Sequence, residues 1–329
     1  MNVSVIVPVY NVEPYIEACL DSVLPALRDT DEILLVQGHS TDRSRERSAQ
    51  YQSRYPQVQV LEQDGKGLSN ARNCGLRAAK GDFVLFIDSD DYVDPNALSS
   101  LLAQVCSGSY SADLWLTDYY KHFESSGQDK LICQIGSKIL CSLDGFAQTI
   151  SSHQCFWNVW KNIYRREFLL ENGVFFLENT YAEDIDFMTR VFLAGPMIQT
   201  ADTPFYHYRI DRGGSLMNEV PLERIQETIA VLESSIEVLK ASEASWAAPM
   251  ISRFQFEYLL NLALIQETLP EQRQAAANSF ASYRKTLSPG NNQVVRGAMF
   301  GLQLIGIQNM SRLMQLAKRL KRKREHRAL

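Results

Sequence analysis

Three carboxylates crowd into four positions at Asp88-Ser89-Asp90-Asp91, directly after the apolar run Phe83-Val84-Leu85-Phe86-Ile87. Acids this close repel one another and resist removal from water. A hard divalent cation resolves the conflict, because Mg²⁺ and Mn²⁺ take oxygen ligands and share them with a substrate's phosphates. The apolar run reads as a strand buried on both faces. The acids then lie at its carboxyl end, where open α/β sheets bind ligands. The plainer alternative is an acidic loop leading into a helix capped at Asp94-Pro95. A second cluster, Glu183-Asp184-Ile185-Asp186, opens a helix whose Phe187, Val191, Phe192 and Leu193 face the core. Acids in a first turn also suit the helix dipole.

The elements that must position these acids alternate. Val3–Val9, Glu32–Val36, Val58–Leu61 and Phe83–Ile87 read as strands by their β-branched and apolar content. Helical periods fill Pro14–Leu27, the stretch from Ser40 to Pro56, and Leu68–Ala79, with Gly81 in the helix-terminating position. This alternation predicts a parallel sheet with right-handed crossovers. The turns exclude two nucleotide folds. After the first strand stands Tyr10-Asn11, without the Gly-x-Gly-x-x-Gly of a dinucleotide fold, and Gly65-Lys66-Gly67 lacks the rest of a P-loop. From Asp94 to Ala201 helices and strands mix, with strands expected near Leu114–Tyr119 and Leu131–Leu140, and a last strand follows at Phe205–Arg209. Beyond Pro221 the chain reads as helical to its end, with breaks at Pro270 and Pro289-Gly290.

Composition is that of an ordinary globular protein, with 329 residues, 45% apolar and 22% charged. No secretory signal is read at the start, because Pro8 and Asn11 cut the apolar run short, and no stretch is long enough to span a bilayer. The six cysteines are scattered without a Cys-x-x-Cys pair and read as free thiols in a reducing compartment. The net charge of −5 divides into +7 over Arg312–Leu329 and −12 over the remainder. Apolar residues from Val295 to Leu320 recur every three to five positions beside this basic tail. Such a helix docks on an anionic membrane surface, packs on its neighbours, or meets a second copy of the chain as a homodimer. The acidic body argues against nucleic acid as a partner.

Several segments together resemble the family 2 glycosyltransferases, inverting enzymes of the GT-A fold. Val3–Asn11 resembles the family's opening strand and Pro-x-Tyr-Asn turn, and Gly67-Leu68-Ser69-Asn70-Ala71-Arg72-Asn73-Cys74-Gly75 its Gly-Leu-Ser-x-Ala-Arg-Asn-x-Gly segment. Asp88–Asp91 resembles its metal motif, Glu183-Asp184 its base, and Tyr208-Arg209 followed by Ser215 its late loop. The resemblance covers residues 1–216. It implies an α/β GT-A domain, Rossmann-like with a mostly parallel central sheet flanked by helices. Residues 1–94 would be the nucleotide-sugar half and 95–216 the acceptor half, with 217–329 a C-terminal helical extension.

By the same resemblance, Asp184 is the expected base, with Glu183 its alternative, and Asp90 and Asp91 are expected to hold Mn²⁺ or Mg²⁺. Donor contacts are expected from Pro8, Tyr10, Asn11, Gln37, His39, Arg72, Asp88, Ser89, Asp90, Arg209 and Ser215. Trp160 and Trp157 are candidates to stack on an acceptor sugar, with a place in the core as the alternative. His207 reads as a packed residue, with metal ligation as the alternative. The implied reaction moves a sugar from a nucleotide-diphosphate donor, a UDP-sugar by preference, to a glycan or lipid-linked acceptor. The implied setting is cell-surface polysaccharide synthesis in the cytoplasm, at the inner face of the membrane. One departure stands out. The family's Asp-Asp-Gly-Ser-Thr-Asp is here Gln37-Gly38-His39-Ser40-Thr41-Asp42, so both leading acids are gone. Gln37 can accept a base N–H through its amide oxygen, but Gly38 has no side chain. The rival reading is a catalytically degenerate scaffold or membrane-surface binding protein.

Overall fold

The computed structural model describes the chain except residues 109–110, 134, 136–141, 151–156, 211–219, 284–292 and 328–329; of residues 150, 282–283, 294 and 321–327 only the backbone is described. The first half alternates as expected: β1 (Val3–Val9), α1 (Ile16–Val23), β2 (Glu32–Gln37), α2 (Ser44–Arg54), β3 (Val58–Glu62), α3 (Gly67–Ala78) and β4 (Phe83–Phe86). There follow β5 (Tyr92–Val93), α4 (Pro95–Cys106), β6 (Leu114–Leu116), β7 (Tyr119–Phe123), β8 (Gln128–Ile132) and α5 (Leu143–Ile150). Next come β9 (Ile163–Arg165), α6 (Arg166–Glu171), α7 (Glu183–Leu193), β10 (Ile198–Thr200) and β11 (Tyr206–Ile210). Helices α8 (Leu222–Ala241), α9 (Ala247–Asn261), α10 (Arg273–Tyr283) and α11 (Gln293–Arg327) complete the chain.

Seven strands form one sheet in the order β10-β6-β9-β4-β1-β2-β3. Every pairing in it is parallel except those of β9, which runs antiparallel between β4 and β6. This insertion is the departure from the all-parallel expectation. β9 is three residues long inside an aromatic segment, too short to show a period of its own. Four further strands make a second sheet, β5-β11-β7-β8. Its strand β8 starts at Gln128 and is mostly exposed, earlier than the apolar stretch at Leu131 indicated.

The sheet centre is apolar because every residue of β1 and β4 is buried. Pro8 is tolerated in central β1 because the pairing with β4 ends at Ile6, so no ladder donor is needed from it on that side. Helix α3 lies so close to β1 that a side chain at Gly75 would collide with Ile6. Gly81 has a different role from the helix stop expected of it: its φ is not positive. A Cβ there would sit 2.5 Å from the backbone nitrogen of Ser4, so the glycine admits β1 beside the turn into β4. Helix α4 does carry the expected cap, Asp94 accepting from Asn96 N and Ala97 N at 2.9 and 3.0 Å.

The chain divides into two compact units. One comprises Met1–Phe146, Phe156–Asn179 and Phe187–Arg212, the other Ala147–Cys155, Thr180–Asp186 and Gly213–Leu329. Both sheets belong to the first. The second is helical, its core built from Ile225, Ile229, Leu232 and Ile236 of α8, Met250, Phe254 and Tyr258 of α9, and Phe280 of α10. Among the described residues no helix is long and apolar enough to cross a membrane. Cys19, Cys74, Cys106 and Cys133 are free thiols, as expected, while Cys141 and Cys155 lie outside the described residues.

Substituting Gly81→Ala pushes a methyl into backbone that cannot turn aside, and overpacking of this kind costs about 1–3 kcal/mol. The urea midpoint of this variant is expected to fall with an unchanged slope.

Candidate functional site

The acidic turn leaves β4 at the carboxyl end of the parallel strands, as anticipated, and its three acids have three different surroundings. Asp88 is partly exposed and gives Oδ1 to Arg72, whose Nη2 donates at 2.8 Å. Arg72 is almost fully buried and also lies over the Phe176 ring, 5.1 Å from its centroid. Asp91 is buried, and both of its oxygens are engaged. Oδ2 accepts from the Tyr206 hydroxyl at 2.7 Å, and Oδ1 accepts from the backbone N–H of Arg209 at 2.8 Å. Tyr206 in turn accepts from the backbone N–H of Asp88 at 3.2 Å. Burial, then the charges of Asp90 and Asp88, push the Asp91 carboxyl well above the usual carboxylate range. The same field acts on Cys19 beneath the turn, whose thiol burial and Asp91 push up. Asp90 is half-buried, and Ser89 is buried.

The α3 segment explains its own sequence. Arg72 holds Asp88. The Asn70 Oδ1 accepts from Gly65 N at 2.9 Å, closing the loop before the helix. Asn73 bonds Phe176 twice, its Nδ2 donating to the carbonyl at 2.9 Å and its Oδ1 accepting from the N–H at 2.8 Å. Phe176 stacks on Phe187 of α7 at 4.0 Å between centroids, and Phe187 meets Phe86 of β4 edge-on at 6.0 Å. Glu183 and Asp184 stand in the first turn of α7 and are half-buried.

At the ends of β1 and β2 two turns are sewn together. Asn11 adopts φ 51, which an asparagine tolerates better than most residues. Its Oδ1 accepts from Thr41 N at 2.8 Å, and its own N–H donates to Ser40 Oγ at 3.1 Å. Asp42 accepts from Glu13 N at 2.9 Å and from Ser44 N at 3.0 Å. The retained Ser40-Thr41-Asp42 is therefore a fastening of the first turn to the second. Tyr10 is exposed and lies against Gly38, where a Cβ would come 3.1 Å from its ring. His39 is exposed. Gln37 is 1% exposed, yet neither its Oε1 nor its Nε2 finds a hydrogen-bond partner among the described residues. A buried amide left in this state is uncommon and costs about 1–3 kcal/mol for each unpaired group.

Other expected contact residues are engaged within the protein. Arg209 donates from its Nη1 to Glu124 Oε1 at 2.5 Å and stacks 4.7 Å over the Tyr92 ring. Trp160 is a core residue, 5% exposed. It packs on Tyr206 at 4.4 Å and Tyr208 at 5.3 Å, the core placement given as the alternative. Trp157 is half-buried. His207 is packed as read, stacked on Tyr92 at 4.6 Å and on Tyr120 at 4.9 Å, with Asp129 3.1 Å from its Nδ1. Ser215 lies outside the described residues. Tyr206 was missed altogether, because nothing in its neighbourhood in sequence marks it as the partner of an acid in another strand's turn.

Among the described residues no three His, Cys, Asp or Glu side chains are grouped so as to hold a metal ion by themselves. Asp91 accepts one hydrogen bond on each oxygen, and Asp88 is paired to Arg72.

The model for glycosyl transferase family 2 matches residues 4–168, half of the chain. The chain belongs to that family. Its sequence is 33% identical over 223 residues to the uncharacterized glycosyltransferase EpsJ of Bacillus subtilis, covering 67% of this chain and 63% of that protein. It is 28% identical over 249 residues to the poly(ribitol-phosphate) beta-N-acetylglucosaminyltransferase TarS of Staphylococcus aureus, covering 73% of this chain and 41% of TarS. The chain thus spans under two thirds of the length of both relatives. The crystal structure of TarS residues 1–349 in complex with UDP-GlcNAc superposes with a TM-score of 0.74 at 21% identity, over 98% of this chain and 92% of that one. The mannosyltransferase PcManGT of Pyrobaculum calidifontis, in complex with GDP-Man and Mn²⁺, superposes at 0.55 with 19% identity, over 95% and 83%. A family 2 chain of GT-A fold was the expectation, and both hold.

Tyr206→Phe removes the donor to Asp91 Oδ2 and the acceptor for Asp88 N, leaving buried polar groups unpaired at a cost of about 1–3 kcal/mol. Thermal unfolding of this variant is expected several degrees below the parent, with the acidic turn showing increased amide exchange.

Proposed function

We propose that the protein is an inverting glycosyltransferase moving a sugar from a nucleotide-diphosphate donor, a UDP-sugar by preference, to a hydroxyl of a glycan or lipid-linked acceptor. The setting is cell-surface polysaccharide synthesis in the cytoplasm, at the inner face of the membrane. The observation that carries this reading is the convergence of Tyr10, the unpaired Gln37 amide and the Arg72–Asp88 pair at the carboxyl ends of β1, β2 and β4 in a family 2 chain. UDP-GlcNAc in the TarS complex, GDP-Man with Mn²⁺ in PcManGT, and the wall-polymer acceptor in the name of TarS support it.

In this reading Asp184, with Glu183 as the alternative, takes the proton of the acceptor hydroxyl. The freed oxygen attacks the anomeric carbon from the face opposite the leaving group, and the nucleotide diphosphate departs with the electron pair. Asp90 or Asp91 would hold Mg²⁺ or Mn²⁺, which would supply positive charge opposite the leaving diphosphate. Arg72 acts by fixing Asp88 for the ribose. Tyr10 offers an exposed ring for the base to stack on, and the Gln37 amide, one donor beside one acceptor, pairs with the base edge.

Three experiments test this. A thermal-shift screen of nucleotide sugars with Mn²⁺ or EDTA is expected to single out UDP-sugars. Asp184→Asn should then abolish transfer while donor binding by calorimetry stays within about threefold; loss of donor binding would remove Asp184 as the base. Gln37→Leu deletes the two unpaired atoms, so the nucleotide-free protein should gain about 1–2 kcal/mol. The same variant should lose nucleotide affinity, and unchanged affinity would dismiss Gln37 from the base contact.

A further inference from the structure

Helix α11 carries a surface that the catalytic reading does not use. Gly306 breaks it, with φ 74 and ψ 170, a conformation open essentially to glycine alone. The two arms touch across the break: a Cβ at Gly301 would lie 2.7 Å from the Cε of Met310. In the second arm the side facing the protein is plain. Ser311 is buried and its Oγ accepts from the Gln266 amide at 2.6 Å, while Lys318 reaches both Glu267 oxygens at 2.8 and 2.9 Å. Those two residues are seven apart and share a face.

Leu313, Leu316 and Leu320 fall on the opposite face, within about 60° of one another on a helix of 3.6 residues per turn. They are 53%, 53% and 52% exposed. Arg312 and Arg319, both exposed, border this stripe, and the sequence continues Lys321-Arg322-Lys323-Arg324. In the first arm Phe300 and Leu304, one turn apart, are exposed as well, at 62% and 67%. Three large apolar side chains in a row on a solvent-facing helix are unfavourable in water. Their arginine border and the +7 charge of Arg312–Leu329 select what can cover them.

We propose that this face of α11 docks on an anionic lipid bilayer surface, its leucines entering the headgroup boundary and its basic residues pairing with lipid phosphates. A second copy of the chain is a poorer occupant, because a symmetric contact along the stripe brings two +7 segments together. Nucleic acid matches the charge but offers the leucines nothing. The lipid surface satisfies both halves of the helix.

The test is co-sedimentation of the full chain with phosphatidylcholine vesicles, with and without about 30% phosphatidylglycerol, at low and high salt. Binding is expected to need the anionic lipid and to weaken with salt. Leu313→Gln/Leu316→Gln/Leu320→Gln should lower it by roughly tenfold or more, and Arg312→Gln/Arg319→Gln by severalfold. Circular dichroism and nucleotide binding of both variants should match the parent, so a folding defect or failure of the transferase reading shows separately. The proposal falls if vesicles are ignored, or if the leucine variant binds them as well as the parent. It falls equally if the leucines prove instead to hold a dimer in sedimentation velocity, or if the tail takes up duplex DNA while leaving vesicles alone.

Discussion

A buried carboxylate, Asp91, holds the acidic turn in shape. It is placed where an ionised acid is disfavoured, and it is kept there by two hydrogen bonds from one strand, the Tyr206 hydroxyl and the Arg209 amide. Those bonds tie the turn after β4 in the large sheet to β11 in the small one. Tyr206 completes the fastening by accepting from Asp88 N, so one phenol grips the turn at both ends. Removing an acid from water is a heavy cost that only good pairing offsets. The return here is a turn tied to the small sheet, with Asp88 held by Arg72.

Seen from that turn, the neighbouring motif residues act largely on backbone. Asn73 bonds the chain at Phe176, Asn70 the loop at Gly65, and Asn11, Ser40 and Asp42 bind two turns to each other. Such side-chain to backbone bonds are short-range fasteners that let loops at a sheet's mouth hold one geometry without regular structure. What remains unfastened is then informative. Gln37 stands at the end of β2 with its amide unpaired among the described residues, although residues on either side of this mouth have found partners. A polar group in that condition points to something that arrives later, a water or a ligand.

Arg209 and Trp160 show the opposite lesson. Both are residue types that bind phosphates and sugars, and both make contacts inside the fold, one with Glu124 and Tyr92, the other with Tyr206 and Tyr208. Residue chemistry is a capacity, and packing decides whether it is spent inside.

The alternation of strands and helices through β4, the acids at a strand's end and the amphipathic, basic α11 were all legible in the sequence, because each is a local pattern set by the periods of backbone geometry. Family membership was legible too, from motifs in order. Only the tertiary structure could say which acid is buried, since the partner of Asp91 is 115 residues away and that of Asp88 is 16. It alone set β9 against its neighbours, turned Gly81 from a helix stop into a space for β1, and left Gln37 without a partner among the described residues. These are facts about which surfaces meet, and no local stretch of chain carries the free energy of a contact made elsewhere.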